Sequence, residues 1–351
     1  MQINSFNSKI FIEAEVGAGI SEAIGLLAPS QIFVVSDAHT HRYCLPLVEE
    51  LLNRQKVHEI VIGQGEANKS LETVVQIWGH LQDSGADSRS LVLALGGGML
   101  LDVAGFAAGT FKRGIPLINI PTTLLSMVDA SVGGKTGINF NGYKNHLGVF
   151  RVPDHVFIYP AFLKTLDQRQ LYSGWAEMIK HGMIHSQVHF DRLLHICPEH
   201  IPDDEMARLI RDSVDIKNYY VARDPYDKGI RKALNLGHTL GHALESLALE
   251  KDKVMLHGEA VMYGLLYEYR LSMSLFGAGR GAYEQLENCI RSFYPDLQVS
   301  ESDLPVIRRF LLQDKKNIHE KINFTLLEHI GKPLTDQFIE WDAIEKCLPR
   351  V

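Results

Sequence analysis

No run of about 18 or more apolar residues occurs in this chain, so no segment reads as a membrane-spanning helix. Cysteine is scarce. The four present, Cys44, Cys197, Cys289 and Cys347, lie far apart and form no Cys-x-x-Cys pair. Scattered structural thiols in a reducing compartment are the plain reading. Long basic runs are also missing. The formal net charge is −7 and the sequence pI is near 6.1, so binding to nucleic acid or to an anionic membrane has no electrostatic support. The opening residues, Met1 to Ile10, lack a basic segment followed by an apolar core. No secretory leader is expected there, and the expected location is the cytoplasm. What remains is ordinary for a soluble globular enzyme, with 46% hydrophobic and 22% charged residues. A length of 351 residues accommodates two domains of about 150 each.

The first half alternates short apolar runs with amphipathic stretches. Gln31–Asp37, Glu59–Gly63, Ser90–Leu95 and Pro116–Ile120 read as buried strands. Ser70–Asp83 and Met99–Lys112 read as helices between them. Strands without polar alternation, separated by helices, predict a parallel sheet covered on both faces. After about Thr165 helical periodicity takes over, in Arg169–His185, Asp204–Tyr220, Leu234–Leu249, Gly258–Phe276 and Gly281–Ser292. Ile322–Leu327 reads as a late strand. The expectation is an α/β domain over residues 1–165 and a mostly α-helical domain over 166–351. In such open sheets ligands bind beyond the carboxyl ends of the strands, and the polar motifs of both halves should face one cleft.

Gly96-Gly97-Gly98 follows a strand and opens a helix, ahead of Asp102. Glycines there let a backbone approach a phosphate at the helix N-terminus, although a tight strand-to-helix turn needs them too. The Rossmann fingerprint is absent, because Leu101 stands where its third Gly belongs. Placement directly after an apolar strand favours a pyrophosphate cradle. Thr122 and Thr123 follow the next strand and are either helix caps or cleft hydroxyls. Asp37, just past a strand end, is either a turn Asp or an acceptor for ribose hydroxyls. Asp129 to Gly137, with Gly133-Gly134-Lys135, is not a Walker loop, because Asp129 stands where its first Gly is required. Lys135 and the nearby Lys144-Asn145 read as cations fixed in a cleft, or singly as surface lysines.

In the second half His238, His242 and Glu245 are spaced four and three residues apart, which puts them on one helical face. A further imidazole at His257 and a carboxylate at Glu177 complete the raw material of a metal site. The alternative is a helix contact with satisfied histidines. The protease pattern His-Glu-x-x-His is absent, since Thr239 follows His238. A metal chelated by a substrate's hydroxyls fits better than metal-bound water attacking a peptide. Arg113, Lys135, Lys144, Lys180, Lys217, Arg231 and Asn235 together describe a cationic pocket in an acidic protein. Such a pocket suits a small dianion, a phosphate plus a carboxylate.

Taken in order, these motifs, with Ala176-Glu177-Met178-Ile179-Lys180, Asn235-Leu236-Gly237-His238, His257-Gly258-Glu259 and Asp314-Lys315-Lys316-Asn317, closely resemble the 3-dehydroquinate synthase family of sugar phosphate cyclases. The resemblance runs collinearly over roughly residues 30 to 331. It implies a Rossmann-like NAD-binding α/β domain, a helical metal domain and a homodimer. It implies conversion of 3-deoxy-D-arabino-heptulosonate 7-phosphate to 3-dehydroquinate by transient oxidation with NAD, phosphate elimination, re-reduction and intramolecular aldol closure at a divalent metal, zinc or cobalt.

By the same resemblance the metal ligands are Glu177, His238 and His257. NAD lies against Asp37, Glu66, Lys69, Gly97, Gly98, Asp102, Thr122, Thr123, Lys135, Lys144 and Thr165. The substrate meets Asp129, Lys135, Asn145, Lys180, Lys217, Arg231, Asn235, His242 and Lys315 or Lys316. Arg113 reaches the phosphate in the neighbouring subunit's site, and His242 shuttles a proton. The rivals are a sister cyclase acting on another sugar phosphate, a metal-dependent polyol dehydrogenase, and an NAD-binding regulatory protein without activity.

Overall fold

The inner apolar runs become strands because they are mostly β-branched or aliphatic on both faces and are covered on both. Ile32 to Val35 and Leu91 to Leu95 have no exposed surface. Each Val, Leu, Ile or Phe among them contributes on the order of 1.5–3 kcal/mol by leaving water. The computed structural model describes residues 1–13, 16–17, 19–52, 56–141, 143–312, 317 and 320–348. Its strands are β1 (Gln2–Ser5), β2 (Ser8–Ile12), β3 (Ile32–Asp37), β4 (Val57–Ile62), β5 (Leu91–Gly96), β6 (Leu117–Pro121), β7 (Lys135–Phe140), β8 (Tyr143–Phe150), β9 (His155–Ile158), β10 (Ile322–His329) and β11 (Lys332–Ile339). Its α-helices are α1 (Gly19–Leu27), α2 (Ala38–Tyr43), α3 (Leu45–Glu49), α4 (Leu71–Asp83), α5 (Gly98–Thr110), α6 (Gln168–His185), α7 (Gln187–Leu194), α8 (Asp203–Arg223), α9 (His238–Glu250), α10 (His257–Phe276), α11 (Arg280–Phe293), α12 (Leu304–Leu312) and α13 (Trp341–Glu345). None of the described helices is long and apolar enough to cross a membrane.

The chain divides into two compact units. The first is Met1–Asp167 together with Pro202–Tyr226, and the second is Gln168–Ile201 together with Asp227–Val351. The segment 202–226, read in sequence as part of the helical half, groups with the α/β unit. Its helix α8 buries Met206, Leu209, Ile210, Val214 and Val221, and Asn218 donates to the carbonyl of Asn4 at 3.0 Å. Periodicity identifies such a helix but does not say which core its apolar stripe will join.

Unit 1 is built on one sheet in the order β1-β2-β9-β6-β5-β3-β4. All its pairings are parallel except β1 with β2. Helices α4 and α5 bury Val74, Ile77, Leu81, Leu100, Leu101, Val103, Ala104 and Ala107 in one cluster with Phe33, Val35, Ile60 and Val92 of the sheet. A separate hairpin pairs β7 with β8. It went unread in the sequence because its residues are mostly exposed and show no clean alternation. Gly137 and Gly148 face one another across it, and a Cβ on either would lie 2.7 or 2.6 Å from the opposing backbone.

Unit 2 is helical, with the hairpin β10–β11 beside it. Its central element is α10, whose residues from Gly258 to Tyr269 are all buried. Two glycines set how closely it packs. A Cβ on Gly258 would lie 1.9 Å from the carbonyl oxygen of Ser173 in α6. A Cβ on Gly264 would lie 1.9 Å from the carbonyl oxygen of Gly237, the residue before α9. Here α10 touches backbone on both sides. Gly264→Ala should therefore destabilise the protein by about 1–3 kcal/mol or prevent folding. Gly25→Ala in α1, where a Cβ meets nothing within 4 Å, should stabilise by about 0.5–1 kcal/mol. Urea titration compares the two, and equal effects would contradict the close packing.

Candidate active site

Unit 1 gathers several of the expected cofactor residues at the carboxyl ends of its strands. Asp37 ends β3, where its Oδ1 accepts from the backbone N–H of His39 and of Thr40, each at 2.9 Å, and from Gln64 Nε2 at 3.1 Å. Gly97 is the N-cap of α5, and no side chain caps that helix. A Cβ on Gly97 would come 3.3 Å from Thr123 Cγ2, and one on Gly98 would come 3.3 Å from Ala130 Cβ. A bare helix N-terminus at a strand end, too tight for side chains, fits a pyrophosphate on structural grounds. Thr122 is buried, and Thr123 Oγ1 donates to Ser126 Oγ at 2.9 Å.

Lys69, almost fully buried, joins two expected partners. Its Nζ lies 2.6 Å from both Asp102 Oδ2 and Asn145 Oδ1. Burial pushes the Asp102 carboxyl up, with the Lys69 charge opposing that shift. Glu66 accepts from Asn139 Nδ2 at 2.8 Å. Asn139 Oδ1 in turn accepts from the Asn145 backbone N–H, at a left-handed φ of 50°. Asp129, in a π-helical turn over Ser126–Ala130, pairs with Lys217 of α8 through both its carboxylate and its carbonyl. Lys135 and Lys144 stand exposed on the β7–β8 hairpin, Arg113 stands exposed after α5 with φ 69°, and Thr165 stands exposed at the end of a 3₁₀ turn.

Unit 2 brings Glu177, His238 and His257 together. One donor atom from each lies within 4.8 Å of the other two. His238 Nε2 is 3.5 Å and His257 Nε2 3.6 Å from Glu177 Oε1. Donors about 2.0–2.1 Å from a tetrahedral zinc sit roughly 3.3 Å apart, within a few tenths of an ångström of both carboxylate–imidazole distances. Glu177 has no exposed surface. Lys180 pairs with its Oε2, and the Nε2 atoms of both imidazoles face its Oε1. A carboxylate oxygen with two imidazole nitrogens converging on it is a donor set that suits a divalent cation.

The outer contacts point the imidazoles the same way. His238 Nδ1 faces the carbonyl of Leu236 at 3.1 Å, which assigns its proton there and leaves Nε2 for a metal. His257 Nδ1 lies 3.8 Å from Glu245 Oε2. Burial, reinforced by the Lys180 charge, pushes His238 down to about 3. Burial would also lower His257, but hydrogen bonding to Glu177 and Glu245 overcomes it and raises His257 to about 9. Burial works to raise Glu177, and the charges of Lys180, His238 and His257 outweigh it, leaving the carboxyl well below its usual range.

His242, one turn beyond His238, is exposed, with its ring centroid 5.4 Å from that of His238 and 5.9 Å from that of His257. Arg231 is buried in a 3₁₀ turn over Ile230–Asn235 that ends at Asn235. Lys315 and Lys316 lie outside the described residues.

Comparison with known proteins adds to this geometry. The "3-dehydroquinate synthase N-terminal" family profile matches residues 59–173, and the "3-dehydroquinate synthase C-terminal" profile matches residues 174–317. The chain belongs to the 3-dehydroquinate synthase family. It is 41% identical to the 3-dehydroquinate synthase of Parabacteroides distasonis over 340 residues, covering 97% of this chain and 96% of that protein. Two solved structures share the fold. One is a 2-deoxy-scyllo-inosose synthase complexed with carbaglucose-6-phosphate, NAD+ and Co2+, with TM-score 0.87 and 23% identity over 99% of this chain and 98% of that one. The other is a 2-epi-5-epi-valiolone synthase from Streptomyces hygroscopicus with NAD+ and Zn2+ bound, with TM-score 0.82 and 24% identity over 99% of this chain and 96% of that one.

Motif reading missed two supports of the centre. Arg169 of α6 pairs with Glu259, whose Oε2 also accepts from the N–H of Leu256 at 2.8 Å. This fixes the start of α10 and with it His257. Glu268 is a wholly buried carboxyl that burial pushes up to about 8, against the pull of the amides of Leu240, Gly237 and Thr239. An acidic residue inside the apolar stretch Val261–Leu271 was the available signal.

With the His257 pKa raised to about 9, a metal taking its Nε2 would have to displace a proton. Metal binding near neutral pH should release about one proton, and affinity should rise with pH until that group has titrated. Calorimetry in buffers of differing ionisation enthalpy measures the release, and a heat independent of buffer would remove His257 from the ligand set.

Proposed function

We propose that this chain is a carbon–oxygen lyase, a 3-dehydroquinate synthase. It would convert 3-deoxy-D-arabino-heptulosonate 7-phosphate to 3-dehydroquinate and inorganic phosphate, a step toward aromatic amino acids. The observation that carries the reading is the Glu177, His238 and His257 cluster, found in a chain of this family. Those three residues would hold a divalent metal, zinc or cobalt. Asp37, Glu66, Lys69, Gly97, Gly98, Asp102, Thr122, Thr123, Lys135, Lys144 and Thr165 would hold NAD. When bound, NAD supplies a reversible hydride acceptor and the metal a polarising charge at the hydroxyl being oxidised.

The chain's own residues then have three tasks. Lys135, Asn145, Lys217, Lys180, Arg231 and Asn235, with Lys315 or Lys316, bind and orient a substrate carrying a carboxylate and a phosphate. The buried Lys180, Lys217 and Arg231 do this with little loss of side-chain freedom. Asp129 holds Lys217 in place through the pairing described above. His242, exposed and one turn from His238, takes the proton of the oxidised hydroxyl. Arg113 reaches the phosphate of a neighbouring subunit in a homodimer. The free state of all four thiols suits a cytoplasmic enzyme.

The test is phosphate release from the heptulosonate phosphate, with NAD and zinc, while NADH absorbance is followed. Phosphate release without lasting NADH, abolished by chelation, is expected. Accumulating NADH would replace the reading with a polyol dehydrogenase. Inactivity with this substrate but turnover of another sugar phosphate would make it a sister cyclase. In a second experiment His242→Ala should lower kcat by roughly 10²–10⁴-fold with zinc affinity unchanged. Full turnover with intact metal would remove the proton-shuttle role.

A further inference from the structure

Helix α9 begins without a cap of its own. Its N-cap is Gly237, in the left-handed conformation with φ 78° and without a side chain to cap the first turn. The first turn also contains no acidic residue to complement the helix dipole. The need is met from another helix. Glu268 of α10 accepts the Gly237 N–H on Oε2 at 2.5 Å and the Leu240 N–H on Oε1 at 2.9 Å. The two oxygens thus bracket His238, the first residue of α9. Glu268 has no exposed surface and belongs to none of the substrate, cofactor or metal contacts proposed above.

Its placement has a geometric consequence. His257 and Glu268 lie on one rod, α10, eleven residues or about 16 Å apart along its axis. At its start the rod carries one metal donor. Further along, at Gly264, it touches the backbone of Gly237, and at Glu268 it grips the amides on either side of His238. We propose that Glu268 is a positioning residue for the metal centre, which caps α9 from α10 and thereby sets His238 at the distance from His257 and Glu177 that a divalent cation requires. The inference rests on the reading of those three residues as metal ligands. A glutamine in this place offers one acceptor and one NH₂ group, and the NH₂ would oppose a backbone N–H. The first turn of α9 would have to shift to relieve that opposition.

The experiment compares zinc affinity of the metal-free 351-residue chain and its Glu268→Gln variant, by competition with a chromophoric chelator. Ser186→Ala is the control. It removes the cap of α7, a helix that bears none of the three donors, where Ser186 Oγ accepts from the His189 N–H at 3.2 Å. Glu268→Gln should bind zinc about tenfold or more weakly, with turnover restored at saturating zinc, while Ser186→Ala melts lower with unchanged affinity. If Glu268→Gln melts lower but binds zinc as the unsubstituted chain does, Glu268 is a structural cap only and the proposal fails. If the glutamine variant does not fold, Glu268→Asp serves in its place. It keeps both acceptors on a stem one methylene shorter, so weaker binding is expected and unchanged affinity overturns the proposal. Failure of the unsubstituted chain to bind zinc would overturn the metal reading itself, and this inference with it.

Discussion

Backbone contact between α10 and its two neighbours, made at Gly258 against α6 and at Gly264 against the start of α9, is the constraint from which the clustering of Glu177, His238 and His257 follows. Glu177 projects from α6, His238 opens α9 and His257 opens α10. Three side chains from three helices meet within 4.8 Å only if the helix axes approach closely, and side chains larger than hydrogen at these two glycines would hold them apart. Ser173 adds to this, since its Oγ accepts the Gly258 N–H at 2.9 Å one turn before Glu177.

Helix termini recur throughout the candidate site for one physical reason: unpaired N–H groups and the helix dipole favour negative charge. In unit 1 the bare N-terminus of α5, behind Gly97, is left open where a pyrophosphate fits. In unit 2 the start of α9 is closed by Glu268 and the start of α10 by Glu259 with Arg169. The open terminus suits a ligand that comes and goes. The closed ones fix side chains that must not move.

Charge is arranged with the same economy. An acidic chain of net charge −7 sets buried or half-buried cations beside specific carboxylates, in Lys69 with Asp102, Lys217 with Asp129 and Lys180 with Glu177. Burying such pairs is unfavourable unless geometry repays it. Their value lies in holding cationic groups rigid where an anionic substrate is proposed to bind, so that little order remains to be imposed on binding.

Much of the fold was legible in the sequence. The strands β3, β4, β5 and β6 and the helices α4, α5, α6, α10 and α11 appear within a few residues of their expected bounds, because continuous apolar runs and 3.6-residue periodicity are local signals. The turn that delays α9 to His238 was less legible. It depends on Gly237 adopting a left-handed conformation against α10. The exposed β7–β8 hairpin carried too little apolar pattern to be seen, and β1, β2 and β9 are only four or five residues long. By itself the sequence determined the element types, the glycine-opened α5 and the motif order that marks the family. Only tertiary structure decided that α8 joins the α/β unit, that Glu245 stands behind His257, and that Glu268 caps the helix bearing His238. Each of these is a contact between segments distant in sequence, and no local pattern encodes which distant backbone a buried side chain will meet.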